Sequence, residues 1–312
     1  MKVLRGEQTG WDPGVARTAL SVGVFDGVHR GHLRVLQELQ QRAGGLPTAV
    51  LSFERHPREI AGQGSPPLLT SEVQKLELLD RLGIDIVGLL DFDDSMRAMS
   101  PESFVADVLV GTMRAAVIVV GSDFRFGYQR SGDVETLSRL GERYGFKTYG
   151  VDLYGEGIPF SASAVREALL AGRVEDASGL LGRRFRIAGR VVPGDGRGRI
   201  IGVPTANLDL PPGLLIPARG VYAVQVGVAG ESHGGVVNIG VRPTFGGDEE
   251  MVEVHLFDLD MDLYGRELTV DFVAHIRNER KFPGVAELVE QIGRDSAAAR
   301  NLLATADSDP LS

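Results

Sequence analysis

The chain contains no cysteine in 312 residues. Disulfides and thiolate-bound metals are therefore excluded. It has no apolar run near the ~20 residues of a membrane-spanning helix. Its N-terminus lacks the apolar core of a signal peptide, so a cytoplasmic location is expected. Excess positive charge is missing too: 33 Lys and Arg stand against 42 Asp and Glu, a net charge of −9. Nucleic acid and anionic membrane surfaces select basic partners, so neither is expected here. Small phosphorylated ligands stay open, because a local cluster of Arg, Lys or backbone N–H is enough to hold one. Internal repeats and low-complexity segments are also absent.

What is present is an ordinary globular composition, 43% hydrophobic. The length suggests about two domains at ~150 residues each. The most informative stretch is Val22-Gly23-Val24-Phe25-Asp26-Gly27-Val28-His29-Arg30-Gly31-His32. It opens with the small and β-branched residues of a buried parallel strand and breaks at Asp26-Gly27. Leu33, Leu36 and Leu39 then recur at helical spacing. A strand, a glycine-bearing loop and a helix start follow one another, with His29 and His32 at the junction. Free backbone N–H groups and the dipole at such a helix start favour an anion, and two imidazoles add to that. The competing reading is a structural turn with one capping and one solvated histidine.

Further strands are expected over Thr48 to Phe53, Ile84 to Leu90 and Ala115 to Val120. Helices are expected over Ser71 to Leu82, with Val73, Leu76 and Leu79 on one face, and over Pro101 to Val110. This alternation through about residue 150 means a doubly wound parallel sheet. The charged loop Glu54-Arg55-His56-Pro57-Arg58 and the segment Gly121 to Gly127 leave strand ends, where ligands gather in such sheets. Ser161-Ala162-Ser163-Ala164-Val165-Arg166 opens another helix. Its hydroxyls and arginine suit a phosphate, or else an ordinary cap with a surface arginine.

Beyond Leu180-Leu181-Gly182-Arg183 the texture changes to short alternating segments. They run Phe185 to Val192, Val221 to Val228, Gly234 to Ile239, Met251 to Phe257 and Leu268 to Val273, punctuated by Gly and Pro. That pattern predicts an antiparallel barrel or sandwich. A last helix is expected over about Val285 to Leu303, carrying Leu288, Ile292 and Leu302. The domains expected are therefore 1–182 and 183–312.

Two motifs carry a resemblance. Val24-Phe25-Asp26-Gly27-Val28-His29-Arg30-Gly31-His32 resembles the adenylyltransferase motif of the bacterial bifunctional riboflavin kinase/FAD synthetase family. Gly202-Val203-Pro204-Thr205-Ala206-Asn207 resembles that family's kinase motif. Order and separation agree, over about residues 15–305. His56-Pro57-Arg58-Glu59, Asn238-Ile239-Gly240-Val241-Arg242-Pro243-Thr244-Phe245 and Ile276-Arg277-Asn278-Glu279-Arg280-Lys281-Phe282 also match. The chain departs in having Phe53-Glu54-Arg55-His56-Pro57 for Phe-Asp-Pro-His-Pro, and Ser161-Ala162-Ser163-Ala164-Val165-Arg166 for Ser-Ser-Thr-x-Ile-Arg.

The resemblance implies a nucleotidyltransferase-like α/β domain, then a mostly antiparallel β-barrel domain with a C-terminal helix. It implies FMN adenylyltransferase activity in the first and riboflavin kinase activity in the second, with riboflavin, FMN and ATP as partners. His29 and His32 would stand at the ATP α-phosphate, with Gly23, Phe25, Asp26, Gly31, Ser163 and Arg166 around the nucleotide. His56, Asp123, Phe124 and Arg277 would meet flavin. Glu253 corresponds to the family's catalytic glutamate, the base for the flavin 5′-hydroxyl. In the second domain, Gly194, Gly196, Gly198 and Gly202 let backbone approach a phosphate, beside Arg190, Arg197 and Arg199. Thr205 and Asn207 offer hard oxygen donors that suit Mg²⁺ carrying ATP phosphates. His255 shares the face of Glu253 and is expected to be a hydrogen-bonding neighbour. Two other readings compete with the two-headed enzyme: a kinase with a weakened or regulatory N-terminal domain, and a flavin carrier without turnover. Oligomeric state stays open.

Overall fold

The computed structural model describes residues 1–54, 64–153, 159–194, 202–244 and 247–306. The chain divides into two compact units, Met1–Ala162 and Ser163–Ser312.

The first unit is built on six parallel strands in the order β1-β4-β3-β2-β5-β6. They are β1 (Lys2–Leu4), β2 (Thr18–Val22), β3 (Thr48–Phe53), β4 (Ile86–Leu90), β5 (Ala115–Gly121) and β6 (Lys147–Val151). The central strands are buried on both faces, which is why they read as continuous apolar runs rather than alternating ones. After β2 the chain steps outward through β3 and β4, then returns to place β5 on the other side of β2. The reversal puts a crevice at the carboxyl ends of β2 and β5.

Helix α1 (Arg30–Arg42) buries Val35, Leu36 and Leu39 over β2 and β5. Helix α2 (Glu72–Arg81) is opened by a reciprocal cap: Ser71 Oγ accepts from Gln74 N–H and the Gln74 amide accepts from Ser71 N–H. Its buried face differs from the expected one. Val73 is 64% exposed, while Gln74, Lys75 and Leu79 point inward. The strand expected through Phe25 ends at Val22, because Phe25, Gly27 and Val28 all take positive φ.

The second unit begins with helices α4 (Ala162–Leu170) and α5 (Val174–Leu181), after α3 (Val134–Tyr144) closes the run of sheet helices. α4 and α5 lie on the far side of the division from the sheet, although residues up to 182 are expected with the first domain. The reason is packing and hydrogen bonding: α5 packs on β7 and β12, and Leu169 O of α4 accepts from Ala218 N–H. Six antiparallel strands then close a barrel in the order β10-β11-β8-β7-β12-β9. They are β7 (Phe185–Val192), β8 (Ala206–Asp209), β9 (Gly220–Val228), β10 (Glu231–Thr244), β11 (Gly247–Leu256) and β12 (Glu267–Asn278). Closure removes the exposed edges that a sandwich of such short strands would leave.

The last helix, α6 (Val285–Ala306), lays Ala299, Leu302 and Leu303 on Ala223, Val236, Phe257, Val273 and Ile276. A further inward residue is charged. Asp295 accepts from Arg277 Nε at 3.0–3.1 Å and from an Arg277 terminal nitrogen at 2.8 Å, with Gln291 Nε2 adding a donor at 2.6 Å. The two side chains are 20% and 5% exposed, so this is a largely desolvated pair that pins α6 to β12. Asp295→Ala leaves Arg277 buried without its counter-charge. A stability loss of about 3 kcal/mol is expected for the second unit's transition in denaturant. A loss under about 0.5 kcal/mol, the range of ordinary surface substitutions, contradicts that role.

Candidate active sites

Between Val22 and Arg30 the chain turns from strand to helix in seven residues, 23–29. Phe25 (φ 52°), Gly27 (φ 74°) and Val28 (φ 39°) occupy the left-handed region. For buried, β-branched Val28 that is a strained conformation, worth on the order of 1–3 kcal/mol. His29 emerges as the cap of α1, where its Nδ1 accepts from His32 N–H at 3.4 Å. An accepting Nδ1 puts the hydrogen of the neutral ring on Nε2. The two imidazoles stack at 3.7 Å between centroids, and Phe25 lies 4.8 Å from His32. His29 is buried and His32 half-buried. Gly31 is required here: a Cβ would stand 3.0 Å from both His29 Cε1 and Phe160 O. Gly23 likewise leaves room for the Phe25 ring, which a Cβ would meet at 3.2 Å.

Asp26, expected at the nucleotide, is also tied to the protein. Its buried Oδ1 accepts from Leu69 N–H at 2.9 Å, Thr70 N–H at 3.2 Å and Thr70 Oγ1 at 3.5 Å. Gly27 N–H donates to Thr70 Oγ1 at 3.2 Å. The carboxylate therefore moors the loop to the segment leading into α2.

A residue missed in the sequence lies next to this mooring. Lys75 is 8% exposed, and its Nζ donates to Ser52 Oγ at 3.2 Å and Phe53 O at 3.1 Å. Ser52 Oγ in turn donates to Val24 O at 2.9 Å. Burial pushes the Lys75 pKa down, while the Asp26 and Glu72 carboxylates push it back up. The available signal was a lysine four residues before Leu79, on the inward face of an amphipathic helix.

Of the other expected residues in this unit, Asp123 is exposed just beyond β5, the strand beside β2. Phe124 is half-buried and stacks on Phe126 at 5.4 Å. His56 lies outside the described residues. Ser163, exposed, and Arg166, half-buried, belong to α4 and so fall in the second unit.

In the barrel, register assembles the site. Glu253 on β11 pairs with Asn207 on β8 and with Asn238 on β10. The three side chains stand abreast, all half-buried, while Val252, Val254, Val237 and Ile239 take the opposite face. Asn238, in the register position beside Glu253, is a neighbour that motif reading did not single out. Asn207 lies over the Gly194 backbone, where a Cβ would stand 2.0 Å from its Nδ2, so only glycine fits. Gly202 (φ 78°) and Thr205 are exposed just before β8. Pro204 O accepts from His255 Nδ1 at 2.9 Å; a carbonyl only accepts, so Nδ1 carries the hydrogen. His255 thus fixes the Pro204–Thr205 approach to β8. Arg197, Arg199, Gly196 and Gly198 lie outside the described residues. Arg277, expected at flavin, has its guanidinium engaged by Asp295, and its charge sits 5.6 Å from the Phe282 ring centroid.

A parallel sheet with paired histidines at its carboxyl edge, followed by a closed barrel with a glutamate flanked by amides, defines a two-part enzyme of nucleotide chemistry. Family models agree in both parts: FAD synthetase matches residues 14–161 and riboflavin kinase matches residues 181–303. The bifunctional riboflavin kinase/FMN adenylyltransferase of Escherichia coli K12 is 43% identical over 305 residues, covering 96% of this chain and 97% of that protein. The protein of the same description in Bacillus subtilis is 36% identical over 291 residues, covering 91% and 92%. A solved structure from Streptococcus pneumoniae, titled a macrolide-efflux protein, superposes with a TM-score of 0.89 at 30% identity, covering 96% and 99%. Among the described residues, no helix is long and apolar enough to cross a membrane. The chain belongs to the bifunctional riboflavin kinase/FMN adenylyltransferase family.

Lys75 gives the first unit a pH signature. Its folded pKa lies below its unfolded value, so between the two the unfolded chain binds more protons and stability rises with pH, up to the ordinary lysine value near ~10.4. Denaturation of wild type and Lys75→Met from neutral to alkaline pH should show their difference moving in favour of wild type as pH rises. A difference constant with pH contradicts the shift.

Proposed function

We propose that the loop 23–32 carries adenylyl transfer and the face bearing Asn207, Glu253 and Asn238 carries phosphorylation of riboflavin. The chain is a bifunctional flavin-cofactor enzyme, making FMN from riboflavin and ATP, and FAD and pyrophosphate from FMN and ATP. What supports the assignment to residues most is the His29–His32 stack at the start of α1.

In the first unit's reaction, a phosphate oxygen of FMN attacks the α-phosphorus of ATP, the bond to the β-phosphate oxygen breaks, and pyrophosphate departs. No side-chain nucleophile is needed. The helix start and the Nε2 donor of His29 favour the charge that gathers on the α-phosphate oxygens, and His32 shares that edge. Each such donor is worth about 10²–10³ in rate. Arg166 and Ser163 are read as partners of the departing phosphates, and His56, Asp123 and Phe124 as flavin contacts.

In the second reaction, Glu253 accepts the proton of the riboflavin 5′-hydroxyl as its oxygen attacks the γ-phosphorus, and ADP leaves. Asn207 and Asn238 flank the carboxylate in register from the adjacent strands. Thr205 carries an exposed hydroxyl just before β8 and Asn207 a half-buried amide against Gly194, oxygen donors of the kind that fits a Mg²⁺ retaining waters and nucleotide oxygens rather than a closed protein cage. When bound there, the ion supplies charge neutralisation to the phosphates. A cytoplasmic enzyme without nucleic-acid or membrane partners fits the acidic surface charge. Arg277 is read as an architectural residue beside the flavin region.

The two sites are separable by substitution. Glu253→Gln should lower FMN formation by roughly 10²–10⁴, the range of general-base catalysis, and spare conversion of supplied FMN to FAD. His32→Ala should do the reverse, by about 10²–10³. Chromatographic separation of the flavins reads both. Glu253→Gln with undiminished FMN formation removes Glu253 from the mechanism. Folded His32→Ala making FAD at the wild-type rate removes His32 from the mechanism.

A further inference from the structure

We propose that Lys75 is a positioning residue for adenylyl transfer, locking the loop 23–29 through a closed circuit of hydrogen bonds. The proposal rests on the assignment of that loop to adenylyl transfer. The circuit runs from Val24 O to Ser52 Oγ at 2.9 Å, from Ser52 to Lys75 Nζ at 3.2 Å, and along α2 to its first turn. From there Leu69 and Thr70 donate to Asp26, two residues beyond Val24. Ser52, Asp26 and Thr70 are all buried, at 0%, 5% and 7% exposure.

Two features set this apart from ordinary packing. The loop holds three positive-φ residues, including β-branched Val28, a conformation that persists only where its surroundings over-determine it. Lysine is also an expensive way to fill the space. Its charge is normally carried to solvent on a flexible stem, and a methionine would occupy similar volume without desolvating an ammonium. Facing the ammonium are the Ser52 hydroxyl and Phe53 carbonyl of β3, the Asp26 carboxylate of the loop and the Glu72 carboxylate of its own helix. A cation placed there ties β3, the loop and α2 together on the side of the sheet where His29 and His32 emerge. A shift of about 1 Å in such a constellation costs on the order of 10² in rate.

The test is steady-state FAD formation from FMN and ATP by full-length Lys75→Met, Ser52→Ala and His32→Ala, with FMN formation by the same chains as the control. Lys75→Met should lower kcat for FAD formation about 10–100-fold, keep the KM for ATP within about threefold, and leave FMN formation unchanged. Ser52→Ala keeps the ammonium but cuts the link to Val24, so a several-fold fall in the same kcat is expected. Lys75→Met with kcat within about twofold of wild type overturns the proposal, as does a raised KM for ATP at unchanged kcat. If Lys75→Met does not fold, Ser52→Ala decides: a lowered kcat supports the circuit and an unaltered one overturns it. If His32→Ala also leaves FAD formation intact, the site assignment has failed rather than the role of Lys75.

Discussion

The seven residues between β2 and α1 impose the constraint on which the first unit's chemistry depends. A strand must become a helix there while turning its first helical N–H groups toward the sheet's carboxyl edge. Phe25, Gly27 and Val28 make the turn only by entering the left-handed region. Val28 N–H donates to Phe25 O within the turn, and residues distant in sequence hold it as well. Asp26 bonds back to Leu69 and Thr70, and Ser52 bonds to Val24. The outcome is that His29 caps α1 with its own Nδ1 and stacks on His32 at the start of the helix. Geometry, tautomer and charge all follow from one turn.

The barrel solves a similar problem without strain. Three strands that are remote in sequence, β8, β10 and β11, are brought into register so that Asn207, Glu253 and Asn238 share one face. The opposite face is apolar, and a one-residue slip would send Glu253 into the core. Gly194 lets Asn207 lie against the neighbouring backbone, and His255 fixes Pro204 at the entry to β8. Glu253 is thus placed by strand pairing, with the ladder doing what the strained loop does in the other unit.

Much of this was legible in the residues. The runs over 48–53 and 185–192 coincide with β3 and β7, because each has a clean period: continuous burial in one, strict alternation in the other. The motifs marked the family to which both parts of the chain belong. Four things were not legible, each for a physical reason. β8 spans four residues, too few for an alternation to stand out, although Asn207 on it was singled out as a ligand. The inward face of α2 carries Gln74 and Lys75, so hydrophobic periodicity pointed instead to Val73, which is exposed. The role of Asp26 depends on partners some forty positions away, at |i−j| of 43 and 44, which no local pattern reveals. Helices α4 and α5 look like a continuation of the sheet's helices in sequence, and only their packing assigns them to the barrel unit.

The central claim is that one chain holds two independent reaction centres joined by free FMN: one set by a strained loop, the other by strand register. Mixing two inactive partners tests it directly. Glu253→Gln chains lack the base for riboflavin, and His32→Ala chains lack the edge for the α-phosphate. Given riboflavin, ATP and Mg²⁺, neither variant alone should accumulate FAD. The equimolar mixture should make it, after a lag in which FMN appears in solution. FAD formed by either single variant at the wild-type rate, or none formed by the mixture when both proteins are folded, contradicts the account.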